Sequence, residues 1–133
     1  MSSRNVRAVI VSGHALAFHA KPRFTKDIDI LVEPSPNNAK RLMQALDDFG
    51  FGDVGLTEGD FSAPGAIVQL GVAPNRIDLI TAIDGVTFDE AWQGRVRGRF
   101  GSQEVFYLGK TELIRNKQAS GRKQDLADLE WLE

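Results

Sequence analysis

Two spacings of apolar residues, period two and period near 3.6, alternate along the chain and predict its elements. Val6 to Val11 is a short β-branched run that stops at Ser12-Gly13, and Ala15, Leu16 and Phe18 then predict a brief helix ended by Pro22. Asp27 to Glu33 alternates, with Ile28, Ile30 and Val32 on one face and Asp27, Asp29 and Leu31 on the other, the pattern of a central strand carrying a polar patch. A helix follows with Ser35 as N-cap, Pro36 at its first position, Ala39, Leu42, Met43, Leu46 and Phe49 along one stripe, and Gly50 as its stop. Its stripe should cover the face formed by Ile28, Ile30 and Val32.

The stretch from Gly52 to Gly65 has no clear period and reads as loop or irregular edge. Ala66 to Leu70 and Arg76 to Ile83 predict an antiparallel pair turning through Ala73-Pro74-Asn75. Asp84-Gly85 turns the chain, and Thr87 with Glu90 three residues later forms a capping box for a short helix through Trp92. Arg95 to Phe100 and Glu104 to Leu108 pair around Gly101-Ser102. Two helices close the chain: Thr111 to about Ala119, broken at Ser120-Gly121, and Arg122 to Leu132 with Leu126, Leu129 and Leu132 facing inward. The sum is an α/β protein with a mixed β-sheet and helices packed on it, read as one domain over residues 1–133 with no repeat or linker.

Composition narrows the chemistry. With 133 residues, 42% hydrophobic and 26% charged, the chain suits one globular domain, and zero cysteines exclude a disulfide framework, zinc ribbons and thiol catalysis. A reducing cytoplasm is the default compartment. No apolar run approaches the ~18 residues of a membrane span, and Met1-Ser2-Ser3-Arg4 lacks the apolar segment of a signal peptide. The two histidines, His14 and His19, are five apart and diverge by about 140° on a helix, too far to share one ion. His19 reads as a structural histidine, Arg23 as an ion-pair partner, and Trp92 and Trp131 as core or interface aromatics.

A net charge of −2 is too near neutral for general phosphate-backbone binding. Its distribution is uneven: residues 1–26 hold five bases and no acids, residues 27–94 three bases and twelve acids, residues 95–123 eight bases and two acids, and the last ten residues four acids. An acidic centre between basic segments suits cations together with a polyanion, and scattered solvated charge gives the same pattern.

Asp27 and Asp29 project from one face of their strand about 6.6 Å apart along the backbone. Like charges that close repel when desolvated, and a hard dication, Mg²⁺ or Mn²⁺, resolves the conflict through oxygen ligation; exposure, or pairing with Lys26 and Arg23, resolves it equally. Asp78, between Ile77 and Leu79, repeats the motif of one carboxylate in an apolar strand, and its two readings are a third metal ligand and an ion pair with Arg76 on the same strand face. If the two strands are neighbours, three carboxylates converge as two-metal phosphoryl transfer requires. Ser12-Gly13, between a strand and a helix, lets backbone approach a phosphate beside free helix N–H groups.

Val11-Ser12-Gly13, thirteen residues, Asp27-Ile28-Asp29-Ile30 and later Ile77-Asp78-Leu79 resemble the signature of the DNA polymerase β-type nucleotidyltransferase superfamily, with Ser12 at the place of the first glycine. Ala15, His19, Pro22-Arg23, Thr25 and Asp27, with Lys117 and Arg122-Lys123-x-Asp125-x-x-Asp128, resemble its small bacterial abortive-infection and toxin–antitoxin-associated members. The resemblance covers residues 6 to 132. It implies a nucleotidyltransferase fold and transfer of a nucleoside monophosphate from an NTP to a hydroxyl acceptor, which is RNA, protein or a small molecule. It further implies Asp27, Asp29 and Asp78 as metal ligands for Mg²⁺ or Mn²⁺, Asp78 as general base, and Ser12 and Gly13 against the triphosphate. A non-catalytic protein of the same fold, an antitoxin-like partner or nucleotide sensor, is the alternative, and a partner protein or a homodimer is compatible with both. Lys117, on a helix within the most basic stretch, is expected to extend from a buried stem to the cleft rim and meet the nucleotide phosphates.

Overall fold

The computed structural model describes residues 5–19, 28–48, 55–71, 76–100 and 103–132. Its centre is strand β2 (Ile28–Val32), flanked by antiparallel β1 (Ala8–Val11) and parallel β4 (Ile77–Ile80). With β3 (Ile67–Leu70), β5 (Val96–Phe100) and β6 (Gln103–Tyr107), these strands make one six-stranded mixed sheet in the order β3-β4-β2-β1-β6-β5. The expected β3–β4 and β5–β6 pairs are both antiparallel, and the expected adjacency of the Asp29 and Asp78 strands is observed. The strand expected over Arg76 to Ile83 ends earlier, at Ile80, and Ile83 makes only an isolated bridge to Val86. Asp27, Pro22, Phe49, Gly50 and the turns at Ala73-Pro74-Asn75 and Gly101-Ser102 lie outside the described residues.

The pleat of β2 sends alternate side chains into two separate cores. Ile30 and Val32 pack with Ala39, Leu42, Ala45 and Leu46 of α2 (Pro36–Asp48), as the amphipathic stripe requires. Ser35 caps this helix by accepting from the Asn38 N–H at 3.3 Å. A 3-10 turn at Glu58–Phe61, within the stretch expected to be irregular, drives the fully buried Phe61 into the same core. On the opposite face, Val9, Val11 and Leu31 meet Ala15 and Leu16 of α1 (Ser12–His19), Phe88 and Ala91 of α3 (Phe88–Gln93), Leu113 of α4 (Lys110–Ser120) and Leu132 of α5 (Lys123–Leu132). The capping box of α3 forms as expected, with the Thr87 hydroxyl accepting from the Glu90 N–H and the Glu90 carboxylate accepting from the Thr87 N–H. Helix α4 stops at Gly121, whose φ of 65° lets its N–H donate back to the Lys117 carbonyl at 3.1 Å.

The phase of α5 differs from the sequence expectation. Leu132 is buried, but Leu126 is 51% exposed, and the positions turned inward belong to Asp125 and Asp128. No described helix is long and apolar enough to cross a membrane.

Candidate functional site

Strand β1 passes into α1 without an intervening residue, Val11 closing the strand and Ser12 opening the helix. So abrupt a turn requires left-handed backbone, and Ser12 adopts it at φ 60°. For a residue with a Cβ this costs on the order of 1–2 kcal/mol, which explains why a glycine is the natural occupant. Gly13 lies in the first turn of the helix.

Strand register then sets what stands beside that turn. Val11 is opposite Asp29 across the β1–β2 pair, Asp29 is opposite Asp78 across β2–β4, and Asp78 is opposite Gln69 across β4–β3. One row therefore crosses the sheet, with Asp29 and Asp78 on neighbouring strands about 4.8 Å apart in the backbone. Parallel neighbours in register point to the same face, so the two carboxylates share it with Leu31 on the side covered by α1. The sequence reaches Asp27 two residues before Asp29, and Asp27 itself is outside the described residues. Among the described residues, no three His, Asp or Glu side chains form a ready metal cage.

Asp78 is 13% exposed and ion-paired with Arg76, whose Nε lies 3.2 Å from Oδ1 and whose Nη2 donates to Oδ2 at 3.4 Å. This is the ion-pair reading of Asp78, present in the structure beside its position next to Asp29.

A cavity of about 190 Å³ opens against Ser12, with Asn116, Lys117 and Arg122 in its wall together with Gln124 and the two inward aspartates of α5. The expected placement of Lys117 at a solvent rim is corrected here: its side chain is 5% exposed, and its ammonium donates to Asp125 Oδ1 at 3.3 Å and Asp128 Oδ2 at 3.0 Å. The physical reason is the phase of α5, which offers two carboxylates to the buried lysine and turns Leu126 outward. Ser120 Oγ and Arg122 also donate to Asp125, Arg122 through Nε at 2.7 Å and Nη2 at 3.4 Å. Burial pushes the Asp125 carboxyl up, but hydrogen bonds from Arg122, Ser120 and Lys117 outweigh it and hold the group below its ordinary value. The Arg122 guanidinium is raised above its usual value, chiefly by its hydrogen bond to Asp125 and more distantly by the charges of Asp84 and Asp29. Ser12 joins the cavity to the carboxylate row, since Val11 before it stands opposite Asp29.

Asn116 and Gln124 were not singled out from the sequence, and Asp125 and Asp128 entered only through the family resemblance, without a role in the site. A signal was present: Asp125 and Asp128 are three apart and share one face of a helix, interrupting its leucine stripe. His19, as expected, is structural, with Nε2 2.7 Å from the Leu108 carbonyl oxygen. Trp92 is likewise a packing aromatic, edge-on to Phe106 at 5.4 Å with the Arg95 guanidinium 3.8 Å over its ring. Compared with models of known protein families and with curated protein sequences, the chain matches none.

Proposed function

We propose that the protein is a metal-dependent nucleotidyltransferase of nucleotidyltransferase fold, joining a nucleoside monophosphate from an NTP to a hydroxyl acceptor. The observation that carries this reading is Asp29 beside Asp78 in register, one strand from the Val11-Ser12-Gly13 turn. Two aspartates in register on neighbouring strands suit Mg²⁺ or Mn²⁺, and Asp27, two residues before Asp29 in the sequence, is the third ligand of this proposal. The ion, when bound, supplies Lewis-acid polarisation of phosphate oxygens. The remaining work falls to the chain. Ser12 and Gly13 let backbone approach the triphosphate, the acceptor hydroxyl gives its proton to the Asp78 carboxylate, the hydroxyl oxygen bonds to the α-phosphorus, and pyrophosphate leaves.

The Arg76–Asp78 ion pair and the serine at position 12 favour a second reading, in which the same fold binds a nucleotide or a partner protein without catalysis. Titration with Mn²⁺ and each NTP separates the two. The transferase reading expects Mn²⁺-dependent NTP binding, weakened about tenfold or more by Asp29→Asn, the loss of a charged ligand, and pyrophosphate release once an acceptor is supplied. Equal NTP binding with and without chelator supports a sensor, and no heat with any nucleotide supports a partner-binding protein.

A further inference from the structure

Two cations line the cavity beside Ser12, and their surroundings are opposite. Lys117 is 5% exposed and donates to two carboxylates, so its charge is spent inside the protein. Arg122 has a side chain 77% exposed. Its Nε and Nη2 are committed to Asp125, while Nη1 has no partner among the described residues. Asp125 is itself fixed from behind by Lys117 and Ser120, and Asp128 by Lys117 and by Gln124 Nε2 at 2.8 Å. A guanidinium gripped along one edge by a braced carboxylate is held in one orientation, and it keeps its outer edge for a second oxyanion. The formal charges of Lys117, Arg122, Asp125 and Asp128 cancel, so an anion arriving at that outer edge meets no net negative charge from these four groups.

We infer that Arg122 is the residue that takes a nucleotide phosphate at this cavity, and that Lys117 is a positioning residue acting on it through Asp125. The inference rests on the nucleotide reading above and deepens it. Ser12, which shares the cavity wall with Arg122, follows Val11, the residue opposite Asp29, so the anion site adjoins the strand end that carries the carboxylate. The order of the parts follows from helix geometry. Lys117 sits one turn before the end of α4, Gly121 reverses the chain, and Arg122 precedes the first turn of α5, so the lysine reaches the carboxylates from below while the arginine reaches the same carboxylate from solvent.

The test uses the whole chain and inorganic tripolyphosphate in metal-free buffer at low salt, which probes the anion site without the metal row. Wild type is expected to bind it, and Arg122→Gln to weaken binding about tenfold or more, as loss of a charge-assisted hydrogen bond does, with the fold retained because Lys117 and Ser120 still donate to Asp125. Arg122→Lys is expected to restore part of the affinity, keeping the charge and losing the fork. In the ¹⁵N spectrum the Arg122 Nε–H, sharp in wild type through its bond to Asp125, is expected to broaden in Lys117→Met together with a loss of affinity. Asp29→Asn is expected to keep tripolyphosphate binding while losing Mn²⁺-dependent NTP binding, so the two proposals fail separately. Wild-type affinity in Arg122→Gln, or no tripolyphosphate binding by wild type, overturns the assignment. Loss of affinity in Lys117→Met with the Arg122 Nε–H signal intact overturns it also, because Lys117 would then be the ligand. If Lys117→Met does not fold, the Arg122→Gln titration decides.

Discussion

At the scale of single residues, Asp125 shows how a buried charge is kept. Its carboxylate is taken out of water, which costs several kcal/mol if uncompensated, and donors from Arg122, Ser120 and Lys117 reverse that cost far enough to hold its proton affinity below the ordinary value of 3.8. Glu90 is also lowered, first by the Thr87 N–H and then by the Arg115 guanidinium, 2.6 Å away. Both groups have folded-state values below their unfolded ones, so the stability they contribute is complete above the ordinary carboxylate range and is lost as pH falls below it through the lowered folded-state values. Urea unfolding between about pH 2 and 5 is therefore expected to show wild type losing stability on acidification, with a shallower loss in Asp125→Asn. An identical pH slope in the two proteins would remove Asp125 from the acid response. Asn38 illustrates the neutral counterpart. Fully buried, it accepts from the Arg7 N–H at 2.7 Å and donates to the Arg7 and Glu33 carbonyls at 3.1 Å each, tying α2 to the ends of β1 and β2.

At the scale of elements, α5 is the instructive case. Its leucines at 126, 129 and 132 have the spacing of a buried stripe, yet only Leu132 is fully buried. The competing stripe, Asp125 and Asp128, wins because α4 presents Lys117 and Ser120 to it; turning Leu126 inward would leave Lys117 buried without a counter-charge. Denaturant unfolding should resolve the two stripes. Leu126→Gln is expected to stay within about 0.5 kcal/mol of wild type, as exposed positions do, whereas Asp128→Ala is expected to cost about 3–5 kcal/mol by leaving the Lys117 ammonium half-paired in the interior. The reverse ranking would mean that the leucine stripe is the packed one.

The whole molecule is a sheet between two unequal cores. One lies under α2 and the 3-10 turn at Glu58–Phe61, and the other under α1, α3, α4 and α5. Phe61 is what the 3-10 turn contributes to the first core. Phe61→Ala is expected to destabilise the protein by about 3–5 kcal/mol through loss of burial and the cavity left behind, measured as a shift in the urea midpoint. An effect below about 1 kcal/mol would show that the 3-10 turn packs only loosely on the sheet.

Local order was legible in the sequence because its causes are local. The alternation of Ile28, Ile30 and Val32 against Asp29 and Leu31, the Ser35 and Thr87 caps and the Gly121 stop each depend on residues within a turn or two of one another. Even the neighbourhood of Asp29 and Asp78 could be anticipated, since each is a carboxylate embedded in an otherwise apolar strand. The tertiary structure alone decided three things. It set the register that puts Asp29 opposite Asp78, it placed Arg76 on Asp78, and it chose which face of α5 turns inward. Those choices rest on partners far apart in the chain or competing for one carboxylate. A charge enters the interior only where another element brings its counter-charge, and no periodicity within the helix itself records that arrival.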